Sequence, residues 1–277
     1  MPAFEPDDPR RFLLLRCEDC LSAVTTGEPP GPEAYSGGLY ADRTPPALVA
    51  RARGLMLRQP LGLLRRGGLR PGGRVLDVGA GRGLLVQALR ARGFDTRGID
   101  PARRVLPGVP VEHAHLEEHA EHDLDAAVMW HVLEHLDDPG AALRRVHGWL
   151  RPGGLLLVAV PNVESAQRAL AGEHWLHFDV PRHRVHLSSS GLHRVLGRSG
   201  FEPRRTVHMI WQQNPLGMAL AIAGRREAGP ARALQAARGG TLPAALLGLV
   251  VGLAVPLEIG AAAARRGGTI ACVAVKK

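Results

Sequence analysis

The stretch that most restricts what this chain can fold into runs from Val75 to Gly83 and reads VLDVGAGRG. An apolar run suited to a sheet gives way to glycines at 79, 81 and 83, and a helical pattern over Leu84 to Arg92 follows at once. Glycine adopts backbone conformations closed to other residues and lets a ligand approach the main chain closely. The helix start behind the loop offers N–H groups with no helical partner. A second strand, Phe94 to Ile99, ends on Asp100. An acid about 20 residues after the first glycine can accept both hydroxyls of a ribose. Together these features predict a parallel sheet covered by helices, with a nucleoside site at its carboxyl edge.

The spacing of the loop narrows the nucleoside. A dinucleotide site uses G-x-G-x-x-G, which seats a pyrophosphate on the helix N-terminus. Here the pattern is G-x-G-x-G, and Asp77 stands two residues before Gly79. A carboxylate beside the loop would repel a pyrophosphate and would favour a ligand carrying an ammonium or sulfonium charge.

The rest of the chain continues the alternation. Val109 to His113 is a weak third strand, and Asp125 to Trp130 is a fourth, nearly continuous in apolar residues. Asp138 and Pro139 form an N-cap and N1 pair for the next helix, which ends before Pro152. Leu155 to Val160 reads as a fifth strand, and Ser188 caps a helix running to Gly200. Thr206 to Trp211 and Thr269 to Val275 read as two more strands. The fold class is therefore α/β, doubly wound and mostly parallel. Residues 1–66 read as an N-terminal extension and helix, with helical signals from Pro46 towards Leu64. Residues 67–211 read as the ligand-binding core, 212–268 as an apolar helical insertion or lid, and 269–277 as the last core strand.

The motifs resemble those of the class I S-adenosylmethionine-dependent methyltransferases, from about Arg74 to Val275. The segment Asp77 to Gly83 is similar to their cofactor loop, and Asp100 to the acid that holds the ribose. Trp130 to His135, reading WHVLEH, resembles the segment after the fourth strand in a subgroup near the ubiquinone-biosynthesis and sugar methyltransferases. Leu150 to Gly154 is similar to the turn before their fifth strand. Pro181 to His186, reading PRHRVH, followed by Leu187 and Ser188, also resembles that subgroup. The resemblance implies a Rossmann-like sheet of seven strands with the last one antiparallel. It implies S-adenosylmethionine as cofactor, held by Asp77, Gly79, Ala80, Gly81, Gly83 and Asp100. Trp130 and His131 would flank the methionine end, while His115 and Leu116 occupy the place of the adenine contact. The family usually carries an acid or amide there, which this chain lacks.

The cofactor brings the reactive group, so the protein mainly positions two reactants and excludes water. A base is needed only where the nucleophile must lose a proton. His183 ranks first for that role and His186 second, with His131 at the carboxyl end of the sheet as a third candidate. Arg182 could instead grip an anionic substrate. Glu134 and His135 could equally brace the next helix.

The subgroup often begins with a zinc ribbon of two C-x-x-C knuckles, of which only Cys17 and Cys20 remain here. A tetrahedral zinc needs four ligands, so no metal is expected. Cys272 falls in a core strand, where a free cysteine behaves as a small apolar residue. Three cysteines make no disulfide framework. With no secretory signal in the opening residues, the expected location is the cytoplasm.

Charge points elsewhere at first. The chain has 277 residues, a net charge of +9, and Lys276 and Lys277 as its only lysines. Such a balance suggests nucleic acid or an anionic membrane. Yet from Val105 to Leu143 there is no lysine or arginine and there are nine acids. Without that block the remainder carries twice the net charge. Aromatics are only 4%, too few for a base-stacking surface, and no Asn-Pro-Pro-Tyr motif is present. The arginines read mainly as compositional, and a small-molecule acceptor is preferred to nucleic acid. An RNA methyltransferase and a non-catalytic cofactor-binding protein are the alternatives.

Leu242 to Ala264 holds one charge, Glu258, and is long enough to span a bilayer, which takes about 20 residues. One crossing would put the last core strand on the wrong side of the membrane. A buried helical lid, or a hairpin dipping into the interface with arginines at its rim, fits the fold better. The hairpin would suit a lipid-linked acceptor.

Overall fold

In chain order the elements are β1 (Pro2–Glu5), β2 (Asp8–Arg16), β3 (Ala23–Thr25), α1 (Arg58–Gly67), β4 (Arg74–Val78), α2 (Leu84–Arg90), β5 (Asp95–Asp100), β6 (Val111–His113) and β7 (Leu124–Trp130). Then come α3 (Pro139–Trp149), β8 (Leu150–Pro161), α4 (Ala166–Ala171), β9 (Val185–His186), α5 (Ser189–Arg198), β10 (Phe201–Val207), α6 (Asn214–Ala223), α7 (Ala244–Ala263) and β11 (Thr269–Lys276). The computed structural model describes residues 2–5, 8–31, 54, 56–102, 105–223 and 244–277. Two compact units share them. One comprises Tyr35–Val160, His193–Thr206 and Ala271–Lys277, the other Met1–Ala34, Pro161–Leu192 and Val207–Ile270.

The first unit holds a seven-stranded sheet in the order β10-β11-β8-β7-β4-β5-β6. β4 pairs in parallel with β5 and β7, β5 with β6, and β7 with β8. Antiparallel pairing is confined to the last strands, as the resemblance implied. Val75, Leu76 and Val78 of β4, Ala126 to Met129 of β7 and Leu155 to Val160 of β8 are all buried. Such unbroken apolar runs are what a sheet covered on both faces requires. α3 begins as its sequence predicts: the Asp138 side chain accepts from Ala141 N–H at 2.8 Å, with Pro139 in the first turn.

Two strands differ from expectation. β8 starts at Leu150, because Leu150 pairs with Leu124 before the register shifts to Ala126–Leu155. β10 covers Phe201–Val207 rather than Thr206 to Trp211. Phe201 is fully buried, with its ring 5.2 Å from that of His147, and this anchors the strand earlier in the sequence.

The second unit contains an antiparallel sheet, β1-β2-β3-β9, that weak periodicity did not reveal. Ala23 pairs with His186 and Val24 with Val185. Leu14 points inward, while Leu13 and Leu15 are exposed. Leu14 and Ala23 join Val163, Ala171, Trp175, Phe178 and Val180 in one apolar cluster. α6 packs on α7 through Met218, Ala219 and Ala254. The expected helical stretch Pro46 to Arg53 and the amphipathic stretch Pro230 to Arg238 lie outside the described residues. Among the described residues, no helix is long and apolar enough to cross a membrane.

Candidate active site

β4 ends on Asp77 and Val78, and the glycine loop turns over the end of β5. Gly79 and Ala80 both donate their N–H groups to Ile99 O, at 2.8 and 3.0 Å. A Cβ on Gly79, at φ +70°, would lie 2.4 Å from Val132 Cγ2, so this glycine admits the segment that follows β7. Gly81 differs. It has φ +55° and a Cβ there would meet nothing within 4 Å, which leaves open space above the loop.

Asp100 closes the loop from below. Its Oδ2 accepts from Gly81 N–H and its Oδ1 from Ala102 N–H, each at 2.7 Å. A carboxylate has about four lone-pair sites, so further hydrogen bonds remain open to it. Asp77 is 3% exposed. Burial, and then the negative charge of Asp100, push its carboxyl up to about 8. β6 continues into Ala114, whose N–H donates to Asp100 O at 3.3 Å. His115, next in the chain, is exposed, and Leu116 is buried.

Trp130 and His131 sit where β7 ends, with their rings at a T-shaped 6.3 Å. His131 has φ +59°, a left-handed conformation uncommon for a non-glycine residue. Its N–H is tied to Ala159 O at 2.9 Å. Its Nδ1 lies 2.9 Å from Oε1 of the buried Glu134. With Glu134 ionised, its carboxylate can only accept, and the ring proton then stands on Nδ1 with the lone pair on Nε2. Nε2 is buried with no hydrogen-bond partner. Glu134 is the residue whose role sequence reasoning left undecided; its i, i+3 spacing from His131 was the available signal.

The other two base candidates belong to the second unit and are held differently. His183 is buried, with Nδ1 2.8 Å from His177 O and Nε2 3.7 Å from Asp179 Oδ2. His186 is buried too, with Nε2 2.9 Å from Thr25 Oγ1, and the same hydroxyl donates to His183 O at 2.7 Å. The Thr25 hydroxyl therefore accepts from His186. Arg182, a candidate grip for an anion, donates its Nε to both oxygens of Asp179, at 3.1 and 3.2 Å. Cys17 is exposed, Cys20 half-buried and Cys272 buried, with none of them in a disulfide.

Comparison with known proteins bears on the family and the fold. The family model described as "Methyltransferase domain" matches residues 50–206. The ubiquinone biosynthesis O-methyltransferase of Azorhizobium caulinodans is 31% identical over 168 residues, covering 52% of this chain and 65% of that protein. This chain thus spans a little under two thirds of that relative's length. The 1,6-didemethyltoxoflavin-N1-methyltransferase of Burkholderia thailandensis, solved with S-adenosylhomocysteine, superposes with a TM-score of 0.52 at 17% identity, covering 100% of this chain and 99% of that one. The [4+2]-cyclase SpnF superposes with a TM-score of 0.50 at 20% identity over 79% of this chain and 80% of its own. At these identities the solved structures speak for the fold alone, while the sequence family covers more than half of the chain. This chain belongs to the class I S-adenosylmethionine-dependent methyltransferases through its methyltransferase domain.

Proposed function

We propose that this protein methylates oxygen or carbon of a small-molecule acceptor, either a sugar, a quinone-like ring or a lipid-linked compound, in the cytoplasm and within reach of a membrane surface. The observation that carries the cofactor reading is the pair Asp77 and Asp100 under the open space at Gly81. A buried carboxyl whose ionised form is disfavoured gains from a cation placed beside it, which suits the charged methionine end of S-adenosylmethionine. Asp100 has acceptor capacity left for a ribose. Ala80, Gly81 and Gly83 form the wall of the loop, and His115 with Leu116 follows the strand beside Asp100. Trp130 and His131 flank the other end.

S-adenosylmethionine supplies an electrophilic methyl group on a sulfonium. The protein's own work is then to hold an acceptor in line, keep water out and accept a proton where one is released. Of the three histidines, His131 fits the last task best. Its Nδ1 lies against Glu134 and its Nε2 has no hydrogen-bond partner, so Nε2 would take the proton of an acceptor hydroxyl whose oxygen gains the methyl group while the methyl–sulfur bond breaks and its electron pair stays on sulfur. His183, with Nδ1 on His177 O, and His186, with Nε2 on Thr25 Oγ1, are buried in the second unit, and we assign them second place as bases.

Calorimetry with S-adenosylmethionine against NAD tests the cofactor. Binding of NAD, or of neither, would refute the reading. A radiolabelled methyl-transfer screen over catechols, sugars and polyprenyl phenols then tests the acceptor class. Cofactor binding without transfer to any acceptor would favour the non-catalytic alternative. Tight RNA binding that weakens steeply with salt would favour the nucleic-acid one.

A further inference from the structure

α7 is a surface helix with two apolar sides. One side meets α6 through Val251, Ala254 and Ala261, and Glu258 on the same side is fully buried. Oε2 of Glu258 accepts from Gln167 Nε2 and Oε1 from Gly268 N–H, both at 2.9 Å. The opposite side carries Leu249, Leu253 and Leu257, four residues apart and 60%, 68% and 56% exposed, with Val250 and Ile259 beside them. The exposed positions between Leu249 and Gly260 are filled by Leu, Val, Gly, Pro and Ile. None brings a side-chain hydrogen-bonding group.

A helix that is apolar all round belongs in a core or in lipid. Exposed leucines exclude the core for this side. The buried tie of Glu258 to Gln167 and Gly268 excludes a crossing, because the inner side is fastened to the protein by polar bonds that lipid could not replace. What remains is a helix lying along an interface. A protein partner would ordinarily find about one hydrogen bond per 100–200 Å² of contact, and this side offers none from its side chains. Hydrocarbon asks for none. Charge agrees: Arg265 and Arg266 are exposed directly after the helix. The insertion 212–268 contains six arginines against Glu227 and the buried Glu258. Arginine stems can lie along apolar surface while the guanidinium reaches phosphate.

We infer that the Leu249–Leu253–Leu257 side of α7 docks on the surface of an anionic phospholipid bilayer, with Arg265 and Arg266 at the headgroups. This surface is independent of the methyl-transfer reading. The test is flotation of the full chain with vesicles of equimolar phosphatidylcholine and phosphatidylglycerol, against phosphatidylcholine alone. The expected result is co-flotation with the anionic vesicles. L253E/L257E should lower that partitioning at least about tenfold, and R265Q/R266Q about tenfold on anionic vesicles only. Thermal melting and S-adenosylmethionine binding check that each variant is folded; should the leucine variant misfold, the arginine variant decides. Absence of wild-type flotation, or equal flotation of wild type and both folded variants, overturns the inference. A dimer in sedimentation that L253E/L257E dissolves, without flotation, also overturns it and assigns the face to a second copy. Flotation without S-adenosylmethionine binding would leave this surface standing and remove the methyltransferase reading instead.

Discussion

Asp77 and Asp100 end neighbouring parallel strands, and the two carboxyl groups act on each other. β4 and β5 run in register from Arg74–Asp95 to Val78–Ile99. Burial of Asp77, reinforced by the charge of Asp100, holds its carboxyl at about 8. Asp100 spends its own charge on the N–H groups of Gly81 and Ala102.

This pair predicts a pH signature. The folded pKa of Asp77 lies above its unfolded value, so its contribution to stability is full below about pH 4 and is lost as pH rises towards about 8. A cationic ligand favours the ionised form and should bind more tightly across that same rise. D77N is expected to bind S-adenosylmethionine at least about tenfold more weakly at pH 8. Its affinity should be nearly flat with pH, as read by calorimetry at several pH values. Wild-type affinity that does not change between pH 6 and pH 8 would count against a cation at this carboxyl.

Gly79 and Gly81 should fail in different ways. G79A sets a Cβ 2.4 Å from Val132 at φ +70°. It should cost about 3 kcal/mol in denaturant titration, from overpacking and from the left-handed backbone. G81A meets no atom, so it should cost only about 1 kcal/mol from its backbone angle. It should nonetheless lose cofactor affinity, since its methyl occupies the open space above the loop. Equal stability loss in both would remove that distinction.

The His131–Glu134 contact predicts a split between turnover and binding. With a catechol as probe acceptor, H131N is expected to lower kcat about a hundredfold, more than it weakens cofactor binding. E134Q should lower kcat about tenfold. Nitrogen NMR should find the His131 proton on Nδ1 in the wild type and a mixture of tautomers in E134Q. H183A, by contrast, should mainly lower the melting temperature, because it removes a buried ring bonded to His177 O. If H183A stays as stable as wild type and loses turnover, His183 is the base and His131 is not.

Glu258 ties α7 to Gln167 and Gly268. E258A takes the acceptor from Gly268 N–H and one of the two acceptors from Gln167 Nε2, which keeps Asn214 O, a loss of about 2 kcal/mol readable in urea titration. Burial pushes the Glu258 carboxyl up, so its contribution also weakens as pH rises. E258Q should flatten that dependence. Unchanged stability in E258A would show that the tie is dispensable.

Much of the first unit was legible because its signals are local. β4, the glycine loop, α2, β5 and Asp100 follow one another without interruption, and each element carries its own period and stop. The Asp138–Pro139 helix start was equally plain. β2 and β3 were not, because β3 finds its partner β9 only at Val185 and His186, and a strand exposed on one side with Leu13 and Leu15 breaks the alternation a reader looks for. β10 was displaced because a buried Phe201, rather than the apolar run after Thr206, anchors the strand.

By itself the sequence determined the parallel sheet, the position of the glycine loop and the two acids beside it, since backbone conformation and hydrophobic period are written in consecutive residues. Only the tertiary structure decided that His131 Nε2 has no hydrogen-bond partner, that Arg182 is engaged by Asp179, and which side of α7 faces outward. Those outcomes depend on neighbours distant in the chain or on the other turn of a helix. For α7 the reason is sharpest. A period reveals a buried face only when the two faces differ in polarity, and here both are apolar, so the choice between them rests on Gln167, Gly268 and the packing of α6.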